Sequence, residues 1–102
     1  MTFSNMEFHV LLVLAEGPRH GYGIMQDAEA LSDGAVRLGP GTLYSLIKRF
    51  QRDGLVRECE PDADRRRCYC LTKKGRSHAL AEVERLAALV RAGRRRLLRS
   101  ES

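Results

Sequence analysis

Leu38-Gly39-Pro40-Gly41-Thr42-Leu43-Tyr44-Ser45-Leu46-Ile47-Lys48-Arg49-Phe50-Gln51-Arg52-Asp53-Gly54-Leu55-Val56 decides how the chain folds. It predicts a helix with a defined start and stop. Pro40 suits the first turn, where a missing N–H costs nothing. Gly54 suits the position just past the end, where a left-handed residue closes the last turn. Between them Leu43, Leu46, Ile47 and Phe50 recur every three or four residues and form one apolar stripe. The other side carries Thr42, Tyr44, Ser45, Lys48, Arg49 and Arg52, with no acidic residue among them. Such side chains hydrogen-bond phosphates and base edges, as a recognition helix in a major groove must. An ordinary surface helix with a solvated polar side has the same pattern, so the flanking sequence has to separate the two.

Upstream, residues 4–16 form a helical pattern that Ser4 or Asn5 can cap, with Glu7 in the first turn. Met6, Val10, Val13 and Leu14 supply its stripe, and Gly17-Pro18 ends it. A second helix is expected over about residues 21–31, with Ile24, Ala28 and Leu31 on one face. Gly21 and Gly23 are poor helix formers, and their place at its start implies a close backbone approach, to the first helix or to a phosphate. Ser32-Asp33-Gly34 is a turn. Helix, short connector, helix is the order of a helix-turn-helix.

Downstream, Leu55 to Glu60 and Arg67 to Thr72 read as two strands of a β-hairpin around Pro61-Asp62-Ala63-Asp64. Arg65, Arg66 and Arg67 sit at its tip, where a wing behind a reading helix would meet the DNA backbone or minor groove. A solvated arginine loop is the plain alternative. Pairing Glu60 with Arg67 sets Cys59 opposite Cys68, with Cys70 on the same face and Val56, Tyr69 and Leu71 on the core side. The last helix is expected over about residues 76–98, roughly 35 Å long. Its stripe of Leu80, Val83, Leu86, Ala87 and Val90 overhangs a domain this small, and a second copy of the chain is the simplest cover. The alternative is that it folds back on the first helix. Arg91, Arg94, Arg95, Arg96 and Arg99 complement the helix dipole and read as a mostly solvated tail.

Composition bounds the rest. One domain is all that 102 residues allow. With 43% hydrophobic and 30% charged residues the chain is globular rather than disordered. The formal charge of +5 favours a polyanionic partner, though only weakly. No apolar run reaches membrane-spanning length. The first residues lack the order of a secretory signal, and three cysteines cannot all pair, which together lead us to expect a cytoplasmic protein. There is no nucleophile–base pair, no paired carboxylates in a plausible cleft and no phosphate-loop glycine pattern, so no enzyme is expected. Neither a cofactor nor a metal site is expected: the cysteines have no C-x-x-C spacing and no nearby histidine pair. Cys59, Cys68 and Cys70 are either small hydrophobes or a thiol cluster that senses oxidant.

Three blocks resemble one family. Ala15-Glu16-Gly17-Pro18-Arg19-His20-Gly21-Tyr22-Gly23-Ile24 looks like the first block of the PadR family of transcriptional regulators. Leu38 to Tyr44, with Lys48-Arg49 and Gly54-Leu55-Val56, resembles its recognition-helix block. Arg66 to Gly75 resembles its wing strand and the start of its last helix, except that Cys68 stands where an aromatic residue is common. The resemblance spans about residues 8–90. It implies a winged helix-turn-helix, mainly α with a small β-hairpin, over 1–74, and a C-terminal dimerisation helix with a basic tail over 75–102. Carried over by position, Tyr22, Thr42, Tyr44, Ser45, Lys48 and Arg49 would face double-stranded DNA, with Arg65, Arg66 and Arg67 on the wing. A homodimeric repressor released by a small-molecule effector is the function implied. A winged-helix module that binds protein instead is the alternative, and the Lys48, Arg49 and Arg65–Arg67 cations separate the two.

Overall fold

Ser4 starts the first helix. Its side chain accepts the Glu7 N–H at 3.2 Å, and its own N–H donates to Glu7 Oε1 at 2.7 Å. This reciprocal capping box satisfies two backbone donors that a helix start leaves unpaired. In this computed structural model, which describes residues 1–99, the order is α1 (Asn5–Ala15), β1 (Arg19–His20), α2 (Gly21–Leu31), α3 (Pro40–Arg52), β2 (Val56–Cys59), β3 (Cys68–Leu71) and α4 (Lys73–Arg99). The tail unit expected over 75–102 runs beyond this, since 100–102 lie outside the described residues.

The helix stops follow backbone chemistry. At the end of α3 the Leu55 N–H reaches the Phe50 carbonyl at 2.8 Å and the Gly54 N–H reaches Gln51 at 3.1 Å, with Gly54 at φ +77°. At the end of α2 the same pair of bonds runs from Gly34 to Glu29 and from Asp33 to Ala30, with Asp33 taking the left-handed conformation. The predicted stop at Gly54 is therefore where the helix closes.

The stripes converge on one core, except for Leu31 at the end of α2, which is 54% exposed. Val10, Leu11, Val13 and Leu14 of α1, Ile24 and Ala28 of α2, and Leu43, Leu46, Ile47 and Phe50 of α3 are all buried in it with Leu55, Val56 and Tyr69. Each fully buried leucine or isoleucine contributes about 1.5–3 kcal/mol. The sheet is antiparallel in the order β1-β3-β2, so β3 lies in the middle. The predicted register holds: Cys59 faces Cys68, and Val56 faces Leu71. The two-stranded hairpin gains a third strand, because Arg19 pairs with Tyr69 and His20 with Cys68. As the middle strand, β3 is paired along both edges, and Cys68, Tyr69 and Cys70 are all buried.

α4 begins earlier than expected. The Thr72 hydroxyl accepts the Gly75 N–H at 2.9 Å and donates to the Gly54 carbonyl at 2.6 Å, which fixes the helix start against the end of α3. At 1.5 Å per residue its 27 residues run about 40 Å along a molecule 59 Å in its longest dimension. Its first half packs on the core through Gly75, Ala79 and Glu82. Its far half leaves the domain, with Leu89, Val90, Leu97 and Leu98 exposed.

Glu82 is the one buried charged side chain among the described residues, 3% exposed. Arg85 donates to both its oxygens, at 2.7 and 2.9 Å, and the Phe3 N–H reaches it at 3.4 Å. The Phe3 ring meets Phe50 of α3 edge to face, so the N-terminal segment joins α4 to α3. The Arg85 hydrogen bonds, with help from the Phe3 N–H, outweigh dehydration and hold the Glu82 carboxyl below the usual 4.5. A depressed folded value stabilises the fold at pH above the unfolded value, and the gain is lost as pH falls through the folded value. Thermal unfolding should therefore show Glu82→Gln less stable than wild type at pH 7. The gap should close steadily on acidification below about pH 5. A gap independent of pH would mean that the ionised carboxylate contributes nothing.

Candidate nucleic-acid interface

α3 turns its apolar stripe inward and leaves Thr42, Tyr44, Ser45, Lys48 and Arg49 exposed. Thr42, Ser45, Lys48 and Arg49 line one side of an open groove, with Ser4, Met6 and Glu7 at the start of α1 opposite. The helix opens at Gly39 with no side-chain cap, and a Cβ at Gly39 or Gly41 would meet nothing within 4 Å. Those two glycines leave space outside the chain rather than serving a contact within it.

Tyr44 lies away from the groove. A Cβ at Gly21 would fall 2.5 Å from its hydroxyl, so Gly21 lets the ring lie against the start of α2. The close approach at Gly21 is thus to Tyr44 and Leu43 of α3 rather than to the first helix. Gly23 instead lies beside the His20 ring, whose Nδ1 accepts the Gly23 N–H at 3.1 Å and caps α2. Tyr22 is next to Gly21 and 61% exposed, against 45% for Tyr44. Burial, first of all, lifts the Tyr69 phenol above its ordinary value, while a hydrogen bond from Arg67 opposes it.

The hairpin tip is organised by Asp62, which sequence reasoning treated only as a turn residue. Its carboxylate accepts the N–H groups of Asp64 and Arg66, each at 2.9 Å, and the Arg66 Nε at 2.8 Å. The Arg66 N–H above all holds this carboxyl below the ordinary aspartate value. Arg66 also reaches Asp64 at 3.2 Å, and Arg67 pairs with Glu58 at 3.5 Å. Arg65, at φ +60°, has no ion pair among the described residues, and neither does Lys48. Arg49 is bound to Glu7. The nine predicted contact residues are all exposed, but only Lys48 and Arg65 among the cations lack a carboxylate.

The cysteines lie on the strands next to that tip, with Cys59 opposite Cys68. Cys68 and Cys70 are buried and Cys59 is partly so. Burial, then a hydrogen bond with Cys70 and the nearby thiols, pushes the Cys59 thiol up to about 11. At pH 7 about one molecule in ten thousand then carries the thiolate, the form that attacks oxidants. Thiol titration of the folded protein should find all three slow, with the rate for Cys59 climbing about tenfold per pH unit. One thiol reacting at pH 7 like free cysteine would restore the oxidant-sensing alternative. Among the described residues, no group of three or more His, Cys, Asp or Glu side chains is arranged to hold a metal ion.

A three-helix core whose third helix turns a polar side outward, followed by an antiparallel wing, defines a winged helix-turn-helix fold. Residues 10–81 match the transcriptional regulator PadR-like family, and the chain belongs to it. Members of that family are transcriptional regulators and not enzymes. The chain is 35% identical over 82 residues to transcriptional regulator Rv3488 of Mycobacterium tuberculosis, covering 78% of this chain and 73% of that protein. It is 39% identical over 89 residues to an uncharacterised 37.1 kDa protein of transposon Tn4556 from Streptomyces fradiae, covering 87% of this chain but 25% of that protein. The chain thus spans about a quarter of the length of that relative. A PadR-like transcriptional regulator from Bacillus cereus superposes with a TM-score of 0.77 at 17% identity over 90% of each chain, a likeness of fold. No described helix is long and apolar enough to cross a membrane.

Proposed function

We propose that this transcriptional regulator acts as a cytoplasmic homodimer that binds double-stranded DNA sequence-specifically and represses until a small-molecule effector releases it. The supporting observation is α3: four apolar side chains anchor it in the core while Thr42, Ser45 and Lys48 line an open groove along its outward side. That is the arrangement a major-groove reader requires. Tyr22 and Tyr44 would flank it, and Arg65, Arg66 and Arg67 would follow the backbone from the wing. Dimerisation through Leu80, Val83, Leu86, Ala87 and Val90 is supported by Leu80 and Val90, 59% and 55% exposed in the single chain. On this reading residues 1–74 bind DNA and 75–102 join the copies.

The effector belongs to the same proposal. An apolar crevice of about 260 Å³ runs between Leu12 and Ala15 of α1, Leu71, and Ala79, Leu80 and Val83 of α4. It opens onto the exposed stripe of α4, so a partner helix would lie over it. A mobility-shift titration tests the core of the proposal. Lys48→Ala should weaken binding to DNA from the chain's own promoter region about tenfold or more, whereas Arg94→Ala should change it less than about twofold. Equal losses would mean that α3 is not the reader.

A further inference from the structure

Among the described residues, Arg49 is the one cation of α3's outward side that a carboxylate from another helix holds. Glu7 Oε2 accepts from its Nη2, across 42 residues of sequence. Glu7 cannot swing away, because its other oxygen accepts the Ser4 N–H at 2.7 Å and its own N–H donates to Ser4 Oγ. A guanidinium bound at one nitrogen by a fixed acceptor has lost most of its rotamer freedom, yet the Arg49 side chain is still 51% exposed and lines the groove with Thr42, Ser45 and Lys48. An arginine so fixed offers two parallel donors in one orientation, the geometry that a guanine edge accepts. An unrestrained arginine in the same place would follow the nearest phosphate, whatever the sequence.

We propose that Glu7 of α1 is a specificity-determining positioning residue, which holds Arg49 for a base edge and withholds it from the phosphates. This rests on the DNA-binding reading above. Glu7 touches no base; it acts through Arg49, and its negative charge beside the groove also weakens binding to DNA of arbitrary sequence.

Glu7→Gln is the clean variant, because glutamine at this position still accepts the Ser4 N–H and keeps the capping box. The probes are a duplex selected by the wild-type protein from random sequence, and a scrambled duplex of equal length. The variant should bind the scrambled duplex more tightly. Its ratio of selected to scrambled affinity should fall about tenfold. Its salt dependence should steepen by about 1.8 in log–log slope, for two released arginines per dimer. In an Arg49→Gln background Glu7→Gln should leave the ratio unchanged. Arg49→Gln alone breaks the same bond from the exposed side without touching the cap, and should lower the ratio as much. Equal shifts for both duplexes, or a full effect without Arg49, would overturn the role of Glu7 while leaving DNA binding intact. If the wild-type protein enriches no sequence at all, the DNA-reading proposal fails, and the role of Glu7 with it.

Discussion

Replacing Gly75 by alanine should cost the fold about 3 kcal/mol or more and lower the melting temperature by about 12–24 °C. A Cβ there would stand 2.1 Å from the Leu55 carbonyl oxygen and 2.8 Å from Leu71 Cδ1. The carbonyl cannot yield easily, since it already accepts the Thr72 N–H at 3.0 Å. Thr72 in turn bonds Gly54 and caps α4, so relief at Gly75 would pull on the end of α3, the hairpin and the last helix together. Gly93→Ala is the matched control. It lies on the same helix with nothing within 4 Å of its Cβ, and should gain about 0.5–1 kcal/mol from helix propensity alone. Thermal unfolding of the two variants checks both signs. Similar small changes at both positions would mean that α4 is not seated against Leu55.

Affinity for DNA should fall about a hundredfold between 50 and 200 mM salt. Among the described residues Lys48 and Arg65 have no carboxylate partner, while Arg49, Arg66 and Arg67 are each paired. Two copies then bring about four unpaired cations to the phosphates, for a log–log slope near −3.6. If every paired arginine left its carboxylate for a phosphate, about ten contacts would steepen the slope to near −9. Mobility shifts at four salt concentrations separate the cases. A flat response would remove phosphate contact altogether.

The sequence disclosed what short-range chemistry controls. Pro40, Gly54 and the Leu43-Leu46-Ile47-Phe50 spacing delimit α3 because caps and stripe lie within one helix. The Cys59–Cys68 register was legible because a hairpin pairs neighbours in sequence and the pleat alternates. Strand β1 was not legible: two residues show no alternation, and their partners Cys68 and Tyr69 lie about fifty positions away. The start of α4 at Lys73 was hidden because its cap is a threonine whose second bond goes to Gly54.

The site divided in the same way. Exposure of Thr42, Tyr44, Ser45 and Lys48 follows from helical spacing. The pairing of Arg49 with Glu7 does not: the sequence placed Glu7 in the first turn of α1 and left Ser4 or Asn5 as the cap, and the capping box that anchors Glu7 is set by the fold. Glu82 reads as a polar position on α4, and its contact with the N-terminal segment, which folds across to Phe50, comes from 79 positions away. Asp62 looked like turn chemistry and is that, but its oxygens also hold Arg66. In each case a carboxylate fixes a cation that the sequence alone presents as available to DNA or solvent.

Hydroxyl-radical footprinting on a duplex selected by the purified protein tests the central claim most directly. Two equivalent protected half-sites, related by two-fold symmetry with centres about one helical turn or 34 Å apart, are predicted. A single unrepeated patch, or no protection beyond that on scrambled DNA, would contradict a dimer reading DNA through α3.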